Sequence, residues 1–246
     1  MFRRLSLLSA VLPTAALAHP VLDATQAARA LRRADAPSIS AQAYADALSG
    51  RIVTGIESVD GVAVAKAWGL AVVDTPIEAA WMAINDESRM GGRMPVSVSE
   101  VIGGTPKSTP RRVFEFLPLP IISDRWWVVD MEANAALYAK EPRMWELAWT
   151  DATSEANVAG TAMAEQAAQG VPVAWTRGSW LLVDLGDGRT LVEYFSWSDP
   201  GGHIPAGASR FGGSAVTQTL KAVADLAQES RALSRAGYTR PDGSPL

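Results

Sequence analysis

The chain has 246 residues, with 22 basic and 26 acidic side chains, a net charge of −4 and no cysteine. That balance argues against a nucleic-acid partner, which needs clustered basic charge to meet phosphate. Without cysteine there is no disulfide, thiolate nucleophile, zinc–thiolate centre or lipoprotein anchor. A packed core must therefore hold the fold, and nine tryptophans are available for it.

In chain order, residues 1–18 read as a secretory signal. Arg3 and Arg4 give the positive n-region, residues 5–12 the apolar h-region, and Ala16-Leu17-Ala18 the cleavage site. The h-region is too short to span a bilayer. The expected mature chain starts at His19 and works in the periplasm or is secreted, with 20 basic against 26 acidic residues once Arg3 and Arg4 are lost. Residues 19–37 are rich in Ala and Arg and read as a loose helical lead-in. Ser38 or Ser40 then caps a helix that runs to Leu48 and stops at Gly50.

Strands are expected over 51–59 and 64–73, joined at Asp60-Gly61, a hairpin dipeptide. Asp74 or Thr75 caps a helix with Pro76 at its first position and Ala79, Ala80, Trp81 and Ile84 on its apolar face. Strand signals follow at 95–102, 112–117, 125–138, 143–150, 171–185 and 189–197, with an Ala-rich insert at 151–170. A Gly/Pro loop leads into a long helix at 214–232, where Ala215, Val216, Leu220, Val223, Ala224 and Ala227 recur at helical spacing. Residues 236–246 read as a disordered tail. The order is that of an α+β domain with an antiparallel sheet and a helix laid across it.

Two segments carry a resemblance. One is Phe116-Leu117-Pro118-Leu119-Pro120-Ile121-Ile122-Ser123-Asp124-Arg125-Trp126. The other is Gly188-Arg189-Thr190-Leu191-Val192-Glu193-Tyr194, with the loop Asp199-Pro200-Gly201-Gly202-His203-Ile204-Pro205 after it. They resemble the strand–turn motif and the last strand and gate loop of START (StAR-related lipid transfer) domains, in the helix-grip superfamily. Element order agrees over 38–235. Trp126 departs from the family pattern, which has Asp after that Arg.

The resemblance implies a START-like helix-grip fold, a curved antiparallel sheet wrapped around the C-terminal helix with an internal hydrophobic cavity. It also implies a lipid or sterol-like ligand, no cofactor, no catalytic or metal residue, transient membrane contact and a monomer. Strand parity supplies the lining. Phe114 and Phe116 form one apolar set and Trp127, Val129 and Met131 another. Val192 and Tyr194 are placed inward so that Arg189 and Glu193 reach water. Val216, Leu220 and Val223 face them from the helix. Asp199, Pro200, Gly201, Gly202, Ile204 and Pro205 form the gate, since glycine absorbs backbone rotation at little cost. Some family members carry a charged pair deep in the cavity, and the apolar run after Arg125 argues against one here.

Other readings stay open at this point. An apolar strand face is more often plain core than pocket, and the Gly/Pro loop is equally a simple strand-to-helix turn. A cyclase- or hydrolase-like helix-grip enzyme would draw its acid and base from Arg125, Glu146, Arg177 and Glu193. A ligand-free scaffold for a partner is the third class. His19 at a mature N-terminus, with His203, has the residue types of a copper brace, but nothing else in the chain matches one.

Overall fold

The computed structural model describes residues 20–33, 35–120, 122–202 and 211–246. The expected secretory signal, His19, His203 and the expected gate residues Ile204 and Pro205 lie outside them. In chain order the elements are α1 (Pro20–Ala28), α2 (Ala41–Leu48), β1 (Val53–Glu57), β2 (Lys66–Val73) and α3 (Ile77–Ile84). Next come β3 (Val98–Gly104), β4 (Arg111–Leu117), β5 (Asp124–Ala133), α4 (Ala135–Lys140) and β6 (Met144–Asp151). The chain closes with α5 (Ala164–Gln169), β7 (Gly170–Pro172), β8 (Trp175–Asp184), β9 (Thr190–Asp199) and α6 (Phe211–Ser230).

Local chemistry explains several boundaries. Ser40 caps α2 by accepting from the Ala43 amide. The strand expected over 125–138 stops at Ala133 because the Asn134 side chain accepts from the Leu137 amide and starts α4. The strand expected over 171–185 is two strands. The short β7 pairs in parallel with β5, and β8 pairs with β6 and β9.

The main sheet runs β1-β2-β9-β8-β6-β5-β4-β3, antiparallel throughout, with β7 beside β5. It curves, and α6 packs against β1, β2 and β9 and against α3. Gly69 of β2 lets the helix in, since a Cβ there would lie 2.6 Å from Val216 Cγ1 and 2.7 Å from Leu220 Cδ1. Among the described residues three apolar clusters result. The largest lies between the concave face, α3 and α6. A second lies on the outer face under α1 and α2, around Tyr44, Leu70, Leu181 and Leu191. The third lies on the outer face of β4 and β5, under the 152–169 segment.

Two terminal segments differ from expectation. The lead-in is not loose, because Arg32 inserts its side chain against the outer face of the sheet. There its Nε donates to Glu146 Oε1 at 3.0 Å, Nη1 to Glu193 Oε1 and Nη2 to Ser179 Oγ at 2.8 Å. Tyr44 Oη donates to Glu193 Oε2 at 2.5 Å, and Asn134 Nδ2 to Glu146 Oε2 at 2.7 Å. Glu193, expected in water, is therefore enclosed. Burial and then the Glu193 charge push the Tyr44 hydroxyl well above its ordinary range.

The 236–246 segment is ordered as well. Tyr238 is buried and donates to Asp86 Oδ2 at 2.6 Å, Trp81 Nε1 donates to the Thr239 carbonyl at 2.7 Å, and Leu246 packs against the main core.

Candidate functional site

The concave face is built by strand register. Ala67, Ser196, Gly178, Trp149, Met131 and Arg111 lie side by side across six strands. The next row inward holds Gly69, Tyr194, Trp180, Leu147 and Ala133. On the far wall Val129 pairs with Val113, Trp127 with Glu115 and Arg125 with Leu117. Gly178 has no side chain because the Trp149 ring occupies that place, 2.3 Å from where a Cβ would be.

Among the residues expected to line a cavity, Trp127, Val129, Met131, Val192, Tyr194, Val216, Leu220 and Val223 all lie on the side between sheet and helix. Phe114 and Phe116 do not. They point to the outer face, where Phe114 stacks on Trp126 at 5.9 Å and both join the cluster with Val128 and Val158. Alternation separates the two faces of β4 but does not say which faces inward. Both faces of β4 are covered here, so the more apolar set was not the inner one.

The inner set of β4 is Arg111, Val113, Glu115 and Leu117, so charge does reach the concave face. The Arg111 guanidinium is fully engaged. Nε donates to Glu87 Oε1 at 2.8 Å, Nη2 to the same oxygen at 2.5 Å, and Nη1 to Asn85 Oδ1 at 2.8 Å. Glu115 has no such partner among the described residues. It accepts from Trp127 Nε1 at 2.6 Å and, at 3.4 Å, from Ser99 Oγ. Burial pushes its carboxyl up to about 7, although the Trp127 hydrogen bond opposes this.

Tyr194 is held by aromatic neighbours, Trp180 at 4.3 Å and Trp149 at 5.9 Å between ring centroids. Burial raises its hydroxyl above the ordinary range, and the Glu115 charge adds to that. The carboxyl on β4 and the hydroxyl on β9 thus sense each other across the curved sheet. Glu115 and Tyr194 lie deep in the molecule yet each keeps accessible surface, as do Trp127 and Leu117 beside them. Side chains in close-packed core do not behave so.

Arg125 stands at the end of this face. It is buried and, among the described residues, bonds carbonyl oxygens: Nε to Pro200 at 2.7 Å, Nη2 to Gly201 at 3.1 Å, and Nη1 to Ser123 and Asp124. It ties the loop before β5 to the start of the expected gate, of which Asp199, Pro200, Gly201 and Gly202 are described. Gly201 and Gly202 both have positive φ, 63° and 66°, as a tight turn there requires.

Of the other three residues weighed as acid or base, none faces inward. Glu146 and Glu193 bind Arg32 on the outer face. Arg177 is exposed there, its Cζ 4.2 Å from the Trp197 ring centre. An open groove of about 920 Å³ crosses that outer face. It is lined by charged side chains, among them the pairs Arg33 with Glu132 and Arg112 with Asp130.

Parity reasoning missed Trp149, Trp180 and Glu115. The alternation of Trp145, Leu147 and Trp149 with Glu146, Ala148 and Thr150 was available as a signal for the first. Trp180 follows once Tyr194 is inward, since the two are register partners. Glu115 had no signal, because a carboxylate on a strand is usually read as solvated.

No protein-family model matches the chain, and no curated protein matches it in sequence. Solved structures match it in fold. A STAR-related lipid transfer protein from Xanthomonas axonopodis (fragment 25–204) aligns with a TM-score of 0.60 at 17% identity, over 78% of this chain and 97% of its own. Human StAR-related lipid transfer protein 5 aligns with a TM-score of 0.60 at 14% identity, over 85% and 99%. Human STARD10 aligns with a TM-score of 0.55 at 11% identity, over 81% and 84%. The chain has the START-like helix-grip fold.

Proposed function

We propose that this protein is an exported carrier that binds a lipid or sterol-like molecule between the concave face and α6, and transfers it by transient contact with a membrane. One observation carries the reading: Glu115, Trp127 and Tyr194, on the concave side of the sheet, keep accessible surface. Apolar walls suit such a ligand, because burial of apolar area alone gives about 25 cal/mol per Å². The lipid-transfer names of the structural neighbours point the same way. The ligand would enter at the end of the face where Arg125 holds the Pro200 and Gly201 carbonyls.

The enzyme reading loses support from geometry, since of its acid and base candidates only Arg125 lies on the inner side. Export rests on the sequence of residues 1–18.

Native mass spectrometry of the protein purified from its own cell envelope tests the proposal, followed by organic extraction. The expected result is a stoichiometric apolar adduct that folded Met131→Asp has lost. Equal retention by that variant would place the ligand elsewhere, and an unliganded protein that takes up no lipid would end the carrier reading.

A further inference from the structure

The inner wall has an unbalanced polar chemistry. Among the described residues, Glu115 is the carboxyl on this wall that keeps accessible surface and forms no ion pair. Trp127 Nε1–H and the distant Ser99 hydroxyl meet only part of its capacity, since a carboxylate offers roughly four acceptor sites. Among the described residues, the cations on the same face, Arg111 and Arg125, are occupied. Arg111 is engaged by Glu87 and Asn85, and Arg125 by carbonyls of the two loops it joins. What else faces Glu115 is apolar or neutral: Val113 and Val129 along the strands, and Tyr194 from β9.

We propose that the space under α6 takes an amphiphile whose inner polar end is a hydrogen-bond donor, a hydroxyl or an ammonium, and that Glu115 rejects one ending in an anion. This rests on the carrier reading above and narrows its ligand class. A donor fills the open lone pairs of the carboxyl and recovers the hydrogen bonding that the head loses on leaving water. An anionic head would instead lie beside a carboxylate at low dielectric, with both nearby guanidiniums already used.

Protonation modulates the discrimination. Burial moves the carboxyl up to about 7; Glu87 adds to that rise, and Trp127, Ser99 and Arg111 oppose it. Below that pH a neutral carboxyl is itself a donor, so the penalty on anions falls.

The test uses the full mature chain and three probes of one chain length: hexadecanol, hexadecylamine and hexadecanesulfonate, which stays anionic throughout. Each displaces a neutral fluorescent lipid below its micellar concentration. At about pH 8 the alcohol and amine are expected to bind on the order of tenfold more tightly than the sulfonate. That gap should narrow on going to about pH 5.5. In Glu115→Gln it should close to within about threefold and lose its pH dependence.

Sulfonate binding as tight as the alcohol in the wild-type protein at about pH 8 overturns the proposal without needing any variant, and leaves the carrier reading standing. Failure of all three probes to bind overturns both. Discrimination that persists unchanged in a folded Glu115→Gln protein overturns the role of this carboxyl.

Discussion

Arg32 carries one positive charge between two buried carboxylates, and its side chain is only 2% exposed. Removing one partner of a buried ionic cluster costs more than the cluster contributes, because the remaining charges stay desolvated and unmatched. Arg32→Met is expected to lower stability by about 3–5 kcal/mol, measured by urea denaturation. Adding Glu193→Gln to it should recover part of that loss, since one fewer carboxylate is then stranded.

Glu115 makes the opposite kind of contribution. Its carboxyl rises from an ordinary 4.5 to about 7, so the folded protein binds the proton more tightly than the unfolded chain. Stability should therefore be greatest below about pH 4.5, as far as this group is concerned, decline as pH rises to about 7, and level off above it. Denaturation midpoints across that window should show a shallower decline in Glu115→Gln.

At the scale of elements, the contact of α6 with β2 is set by a missing side chain. Gly69 sits under Val216 and Leu220 at distances that leave no room for a methyl group. Gly69→Ala must push α6 outward or force those side chains off their rotamers, at a cost of about 1–3 kcal/mol. The expected signature is a lower melting temperature together with faster ligand release, because in the proposed carrier the displaced helix is the wall over the ligand. An unchanged melting temperature would mean that the helix adapts freely.

The helix periodicity was legible here: Val216, Leu220 and Val223 all face the sheet, since one solvent-free stripe leaves a single orientation. Sheet faces were less so. Period 2 assigned Trp127, Val129 and Met131 to the inner side but also drew in Phe114 and Phe116, because β4 is covered on both faces. The 152–169 segment, which supplies that second cover, comes about 40 residues later in the chain than β4, and no local pattern announces where it lands.

For the molecule as a whole, the two ends of the described chain act as staples. The N-terminal arm pins the outer face through Arg32. The C-terminal segment ties α3 and the turn after it to the rest through Trp81–Thr239 and Tyr238–Asp86. Removing residues 237–246 deletes the buried Tyr238 ring and both hydrogen bonds. Ordering entropy offsets part of that gain, so truncation is expected to cost on the order of 2 kcal/mol, or roughly 5 °C in melting temperature. A calorimetric trace that matches the full chain would show the segment to be a passenger.

By itself the sequence determined the succession of elements, the antiparallel α+β class, the amphipathic closing helix and the START-like motifs at Ser123-Asp124-Arg125 and Gly201-Gly202. These are local signals, written in spacing, caps and turn residues, and they need no knowledge of what lies opposite. Only the tertiary structure decided which face of β4 is inner, that Glu146 and Glu193 pair with Arg32 on the outer face, that the last eleven residues dock, and that Glu115 has no cation partner among the described residues. Each of those depends on a partner far along the chain. A side chain's burial, charge state and free lone pairs are properties of the neighbours that folding brings to it.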